Sequence, residues 1–139
     1  MTTSLYKDRL LAHFRKPYKK GSLDGASLVQ RGSNPRCGDE LDVGLFLNGD
    51  AIEDVRFTGR GCSICIASAS MMMEAVEGLD RPQMQTLCKT VKDWFADSQQ
   101  PQPEDLPDAL LPLYDVHTHT ARKKCVVLSW EALESALDS

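Results

Sequence analysis

Apolar side chains recur every three to four residues in most of this chain and every two in one stretch, and that contrast predicts the secondary structure. Over residues 3–15, Tyr6, Leu10 and Phe14 fall at helical spacing with Leu11 beside them, and Pro17 follows the end of the pattern. Residues 17–36 carry Gly21, Gly25, Gly32 and Pro35 and are expected to form a long, functional loop. Over residues 40–58 the period changes to two. Leu41, Val43, Leu45 and Leu47 alternate, Asn48-Gly49 is a turn signal, and Ile52, Val55 and Phe57 belong to a return strand. The three-residue step from Ile52 to Val55 breaks the alternation and predicts a bulge.

A helix is expected from about Cys62 or Ser63 to Gly78, with Ile64, Ala67, Met71 and Ala75 in one stripe. The run Ala67-Ser68-Ala69-Ser70 is small enough for close backbone approach. Met71, Met72 and Met73 point in different directions on a helix, so they are expected to fill core rather than bind copper. The clearest helix covers about 81–97. Pro82 sits in its first turn after Asp80, and Met84, Leu87, Cys88, Val91, Trp94 and Phe95 form its apolar face. Cys88 lies in that face and is expected to be a buried thiol. A proline-rich loop (98–107), a short helical piece (Asp108 to Tyr114) and a final helix over 124–137 follow, the last with Val126, Trp130, Leu133 and Leu137 on one side. No repeat is present. The sum is an α+β domain spanning 1–139, with an antiparallel hairpin at minimum, packed by helices.

Composition narrows the function. The chain has 139 residues, of which 42% are hydrophobic and 26% charged. No apolar run approaches the roughly 18 residues of a membrane span, and the N-terminal stretch is too interrupted by charge to be a secretory signal. A cytoplasmic location is expected. The net charge of −4 argues against a nucleic-acid partner. Basic clusters at Arg15, Lys16, Lys19 and Lys20, and at Arg122, Lys123 and Lys124, are expected to be solvated faces.

Five cysteines are many for such a chain, and an odd number does not close a disulfide framework. Cys37, Cys62 and Cys125 each fall at a junction between elements, where distant segments can converge. Asp39 follows Cys37 by two, so in an extended segment both side chains point the same way. Three thiolates and a carboxylate are donors that zinc accepts, although spacing alone leaves the metal site open. Cys62 and Cys125 also sit at expected helix N-termini, which favour thiolates. Arg122 could pair with Asp39 through a bidentate fork, and Lys124 adds positive charge; ordinary surface charges are the alternative. Cys65, three residues after Cys62, is expected to be a packed side chain rather than half of a redox pair. His117 and His119 are expected to be exposed loop residues, and His13 to lie on the polar side of its helix.

Three segments together carry a resemblance: NPRCGD (34–39), GRGCSICIASASMM (59–72) and ARKKCVVLSWEAL (121–133). In order and spacing they resemble the motifs of the U-type iron–sulfur cluster assembly family. Lys124 stands where IscU-type members have a histidine before the last cysteine. Cys62 and Cys125 are 63 positions apart, and no Leu-Pro-Pro-Val-Lys segment occurs. These features resemble the SufU-type branch; His119-Thr120 depart from its usual Phe-Pro. The resemblance implies a three-stranded antiparallel sheet packed by helices and one zinc ion held by Cys37, Asp39, Cys62 and Cys125. It implies that Cys37 accepts sulfur from a PLP-dependent cysteine desulfurase of the SufS type, for delivery to a downstream iron–sulfur assembly scaffold. A partner side chain taking the place of Cys37 on the metal would free that thiolate to attack a persulfide. The same donors could instead hold a [2Fe–2S] cluster, making the chain a scaffold, or a purely structural zinc.

Overall fold

The structure is a computed structural model, and it describes residues 2–118 and 120–139, with side chains from residue 7 onward except that of Thr120. The Tyr6 side chain and His119 lie outside the described residues. Helix α1 (Thr2–Arg15) leads into strands β1 (Leu28–Asn34), β2 (Asp39–Asn48) and β3 (Ala51–Arg60). Helices α2 (Ser63–Val76) and α3 (Arg81–Ala96) follow. A 3₁₀ turn (Asp108–Leu113), the one-turn α4 (Tyr114–His117), a second 3₁₀ turn (Thr120–Arg122) and α5 (Lys123–Leu137) complete the chain. The strands form one antiparallel sheet in the order β1-β2-β3.

The hairpin forms where expected. Asn48 pairs with Ala51 around Gly49-Asp50, with Gly49 at φ +62°. Between Phe46↔Asp54 and Leu47↔Ile52 the register shifts by one, leaving Glu53 as the extra residue of the predicted bulge. Leu41, Val43, Leu45 and Phe57 are fully buried on the helix side. Gly59, at φ +136°, lies so close to β2 that a Cβ would overlap the Glu40 carbonyl oxygen and stand 2.8 Å from the Leu41 Cα. The crossing of β2 and β3 just before the Cys62 junction therefore requires glycine.

The segment expected to be one long loop contains β1. Its inward positions are Leu28, Gln30, Gly32 and Asn34, and three of them are polar or lack a side chain, so the period of two carries no hydrophobic signal. Gly32 faces inward because α5 lies directly on it; a Cβ there would be 3.1 Å from the Leu128 carbonyl oxygen. Upstream, Lys19–Gly21 run along the edge of β3. The Phe57 N–H donates to the Lys19 carbonyl (3.1 Å) and the Gly21 N–H to the Phe57 carbonyl (2.9 Å). Leu23 and Ala26 then cover Gly44 on the sheet's outer face.

Helix α2 is the centre of the molecule. Every residue from Cys65 to Met73 is buried, rather than the single stripe expected, as befits a helix enclosed on all sides. The methionines fill core. Helix α3 begins with a capping box, in which Asp80 accepts from the Gln83 N–H and the Gln83 side chain accepts from the Asp80 N–H. Its apolar face, Cys88 included, is buried as expected, and Lys92 forms an ion pair with Glu134 of α5.

Helix α1 docks differently from its apolar pattern. Leu10 is buried, but Phe14 is 42% exposed. The helix is rolled so that His13, expected to face solvent, faces α2. Its Nδ1 meets the Ser70 hydroxyl at 2.7 Å, and its Nε2 lies 3.1 Å from Glu74. Ser70 Oγ also accepts the Tyr18 N–H at 2.8 Å, so its proton is free for His13 Nδ1. The neutral imidazole with Nε2 protonated satisfies all three groups.

Burial lowers the His13 pKa below 6.5; Glu74 opposes this and Arg9 adds to it. The unfolded chain therefore binds more protons than the folded one in a window just below pH 6.5, and stability falls as pH drops through that window. In denaturant titrations from pH 7.5 to 5, His13→Gln is expected to lose less stability than the wild type; equal losses would exclude the role assigned to His13. Gly59→Ala is expected to lower the unfolding free energy by about 3 kcal/mol or more, because positive φ and backbone overlap combine. A melting temperature near the wild-type value would contradict the close β2–β3 crossing.

Candidate metal centre

The three sequence motifs converge at one end of the sheet. Asn34 closes β1 opposite Asp39, the first residue of β2, so Pro35-Arg36-Cys37-Gly38 form a four-residue hairpin tip. The Cys37 N–H donates to the Asn34 carbonyl (3.1 Å) and the Gly38 N–H to the Pro35 carbonyl (3.3 Å). Gly38 takes φ +69°, a conformation costly for other residues. This tip holds Cys37 in solvent, whereas Asp39, one step into the sheet, is fully buried.

The Asp39 carboxylate meets the beginning of α2. Cys62 is the N-cap of that helix, and its backbone N–H donates to Asp39 Oδ1 at 2.9 Å. Gly61 permits this approach, since a Cβ there would lie 2.7 Å from Asp39 Oδ1 and 3.1 Å from Cys65 Sγ. Asp39 Oδ2 is buried and has no hydrogen-bond partner among the described residues. A buried, unpartnered carboxylate oxygen is costly unless a cation sits against it. The Cys62 thiol accepts the Cys65 N–H at 3.4 Å.

Cys125 enters from the third side, in the first turn of α5. Its thiol is fully buried, with Sγ 4.0 Å from Cys37 Sγ. One donor atom from each of Cys37, Asp39 and Cys125 lies within 4.8 Å of the other two. Cys62 is not part of that tight group, but it adjoins Cys125. Burial first, and then hydrogen bonding and charge from Cys62, Asp39 and Cys37, push the Cys125 thiol far above its usual range. Two thiolates on one tetrahedral zinc, at about 2.3 Å each, stand roughly 3.8 Å apart. The Cys37–Cys125 spacing and the open Asp39 oxygen therefore fit a bound metal ion. Such an ion would also offset the cost of thiolates in this buried place.

Some neighbours depart from expectation, whereas Cys65 is packed as expected and Lys124 is an ordinary exposed charge. The Arg122–Asp39 fork does not form, because Asp39 is turned inward and Oδ1 is taken by the Cys62 N–H, while Arg122 is exposed. Lys124 is exposed too, and among the described residues neither makes an ion pair. Cys65 is fully buried, and burial, then the charges of Asp39, Cys62 and Cys37, push its thiol up to about 12. His117, expected in an exposed loop, is buried. It stacks on Trp94 (centroids 4.7 Å apart), and its Nε2 contacts the Trp94 and Asp97 carbonyls at 2.6 and 3.1 Å, at the end of α3. It is a structural histidine, engaged at the end of α3 and not in the cluster of Cys37, Asp39 and Cys125. In the sequence Gly61 is only a break between strand and helix, and Asn34 only part of the NPRCGD segment; neither declares its part in the site. The signal for Gly61 was its place just before Cys62; that for Asn34 was the Asn-Pro pair opening the turn.

The model of the NifU-like N-terminal domain matches residues 5–139. The chain is 37% identical over 134 residues to the zinc-dependent sulfurtransferase SufU of Bacillus subtilis, covering 96% of this chain and 90% of the relative. It is 35% identical over 133 residues to the iron–sulfur cluster assembly scaffold protein IscU of Streptococcus pyogenes, covering 96% and 82%. Among solved structures, it superposes with a TM-score of 0.81 on a candidate SUF-system scaffold protein from Fervidobacterium islandicum, with 29% identity and 99% of both chains covered. It also superposes, at 0.84, on the N-terminal part of a NifU-like protein from Brucella abortus, with 19% identity and 99% and 94% covered. Sheet, helices and the converging cysteine motifs thus agree with the sequence match over nearly the full length, and the chain belongs to the NifU-like N-terminal domain family of iron–sulfur cluster assembly proteins.

Proposed function

We propose that this chain, acting as one SufU-like unit over residues 1–139, is a zinc-dependent sulfur acceptor and transfer protein. It takes persulfide sulfur from a PLP-dependent cysteine desulfurase of the SufS type and delivers it to a downstream iron–sulfur assembly scaffold. The observation that carries this reading is the asymmetry of the cysteine cluster. Cys37 stands in solvent on a hairpin tip, while Cys125 and Asp39 beside it are fully buried. A purely structural site would be closed on all sides.

Cys37, Asp39, Cys62 and Cys125 would hold the zinc, whose chemical contribution is to keep thiols deprotonated without itself being oxidised. The remaining work falls to the chain. Asp39 and the N-terminus of α2 fix the floor of the site through the Cys62 N–H. The Gly38 turn gives Cys37 a short loop on which to meet a partner. In the transfer step, the Cys37 thiolate attacks the terminal sulfur of the partner's persulfide. A new S–S bond forms at Cys37, the partner's S–S bond breaks, and the partner leaves as a thiolate. Exposed Arg36 and Lys124 line a cavity of about 500 Å³ beside the tip. They supply positive charge where that thiolate develops.

The 37% identity to a zinc-dependent sulfurtransferase supports this reading. The similarity to scaffold proteins supports the alternative, a [2Fe–2S] cluster assembled on the same donors. Metal content and the absorbance of anaerobically purified protein separate the two: zinc without visible absorbance favours transfer, and iron with sulfide favours the scaffold.

Cys37→Ser is expected to keep the fold and to abolish stimulation of a SufS-type desulfurase, with no persulfide found on the variant by mass spectrometry. Stimulation equal to wild type would refute the role of Cys37. Chelation of the zinc is expected to make Cys37 and Cys62 react with a thiol reagent at least about tenfold faster. Cys65 and Cys88, buried and with thiols pushed up to about 12, should remain slow. Labelling rates indifferent to the chelator would count against metal binding by these thiols.

A further inference from the structure

The Ala67-Ser68-Ala69-Ser70 run of α2 does more than admit neighbouring backbones. Ser68 and Ser70 are both fully buried. Two residues apart on a helix, they point about 200° apart. Ser70 faces α1, where it engages His13 and the Tyr18 N–H. Ser68 faces α5. Its hydroxyl donates to the Val126 carbonyl at 2.7 Å and accepts the Trp130 indole N–H at 3.3 Å.

Val126 directly follows Cys125, and among the described residues no other hydrogen bond from outside α5 reaches the backbone of its first turn. Its N-cap, Arg122, makes no side-chain capping bond. The start of α2, in contrast, is held by the Cys62 side chain and by Asp39. The other polar ties of α5, the Lys92–Glu134 ion pair and the Arg81 guanidinium donating to the Leu137 carbonyl, lie toward its C-terminal end. Apolar packing is non-directional, so it leaves the first turn some freedom to shift along the axis. A metal donor must hold its place within a few tenths of an ångström. A short hydrogen bond one residue from the donor removes that freedom.

We infer that Ser68 is a positioning residue for Cys125. Its hydroxyl fixes the axial register of α5 against α2 and so sets the Cys125 thiol against Cys37 and Asp39. The part of this inference that concerns metal affinity rests on the proposed zinc reading; the part that concerns the thiol's position does not.

Ser70→Ala is the natural control. It removes a hydroxyl of equal burial from the same helix, but one that serves α1. In metal-free protein, N-ethylmaleimide labelling of each cysteine would be followed by mass spectrometry, with the buried Cys88 as internal reference. Ser68→Ala is expected to raise the Cys125 rate about tenfold relative to Cys88. Ser70→Ala, of similar stability, should leave the ratio at the wild-type value. In zinc competition with a chromophoric chelator, Ser68→Ala should bind about 10- to 100-fold more weakly, as for the loss of other groups that orient metal ligands. A parallel rise at Cys125 and Cys88, or no change in the ratio, would show a merely structural serine and overturn the inference. Wild-type protein that binds no zinc would sink the metal reading, while the labelling ratio still decides the place of Ser68. Should Ser68→Ala not fold, Ser68→Thr carries the test. Keeping the hydroxyl, it is expected to protect Cys125 as the wild type does, and exposure of Cys125 in that variant would also overturn the inference.

Discussion

One hydrogen bond organises the functional end of this protein: the Cys62 N–H donating to Asp39 Oδ1 inside the fold. It joins the first residue of β2 to the N-cap of α2, so the hairpin tip and the helix cannot move independently. A carboxylate at a helix N-terminus is favoured by the helix dipole and by the free N–H groups there. The bond also aims the carboxylate, leaving Oδ2 without a hydrogen-bond partner among the described residues. Two glycines make it possible. Gly59 lets β3 cross close over β2, and Gly61 leaves the space that Asp39 occupies. An acidic side chain is thereby kept inside the protein, within a few ångströms of the Cys125 thiol, whose ionisation burial and the Asp39 charge both oppose.

Around this junction the fold is a set of connections to α2. That helix is buried on every side, so polar groups on it must find partners within the protein. Ser70 serves α1 and Ser68 serves α5, each through a backbone group and a ring nitrogen of the neighbouring segment. The small residues bring the helices together, and the hydroxyls specify how far each may slide. The cysteine cluster inherits its geometry from these ties: Cys37 moves with the hairpin, Cys62 with α2 and Cys125 with α5. The contrast between an exposed Cys37 and a buried Cys125 follows from a hairpin tip meeting the first turn of a packed helix.

The elements that were legible in the sequence had one strong periodic signal each. Leu41, Val43 and Leu45 announced β2, the break between Ile52 and Val55 announced the bulge, and the face from Met84 to Phe95 announced α3. Those that were not legible had polar or missing side chains on their buried face. β1 hides behind Gln30, Gly32 and Asn34. His13 and His117 look like surface histidines because their partners, Ser70 and the Trp94 carbonyl, lie far away in the chain. The Arg122–Asp39 pairing failed for a related reason, since sequence spacing does not reveal which way a carboxylate turns.

The sequence by itself determined the family, the hairpin and its bulge, the principal helices, and which cysteines stand at junctions, because local propensity and motif spacing are properties of neighbouring residues. Only the tertiary structure decided which donors meet. It set Cys37, Asp39 and Cys125 within 4.8 Å of one another, left Cys62 beside them as the cap of α2, and sealed Cys65 in the core. Those outcomes depend on how a hairpin tip and two helix starts converge over separations of up to 88 residues, and packing across such separations leaves no periodic trace in the chain.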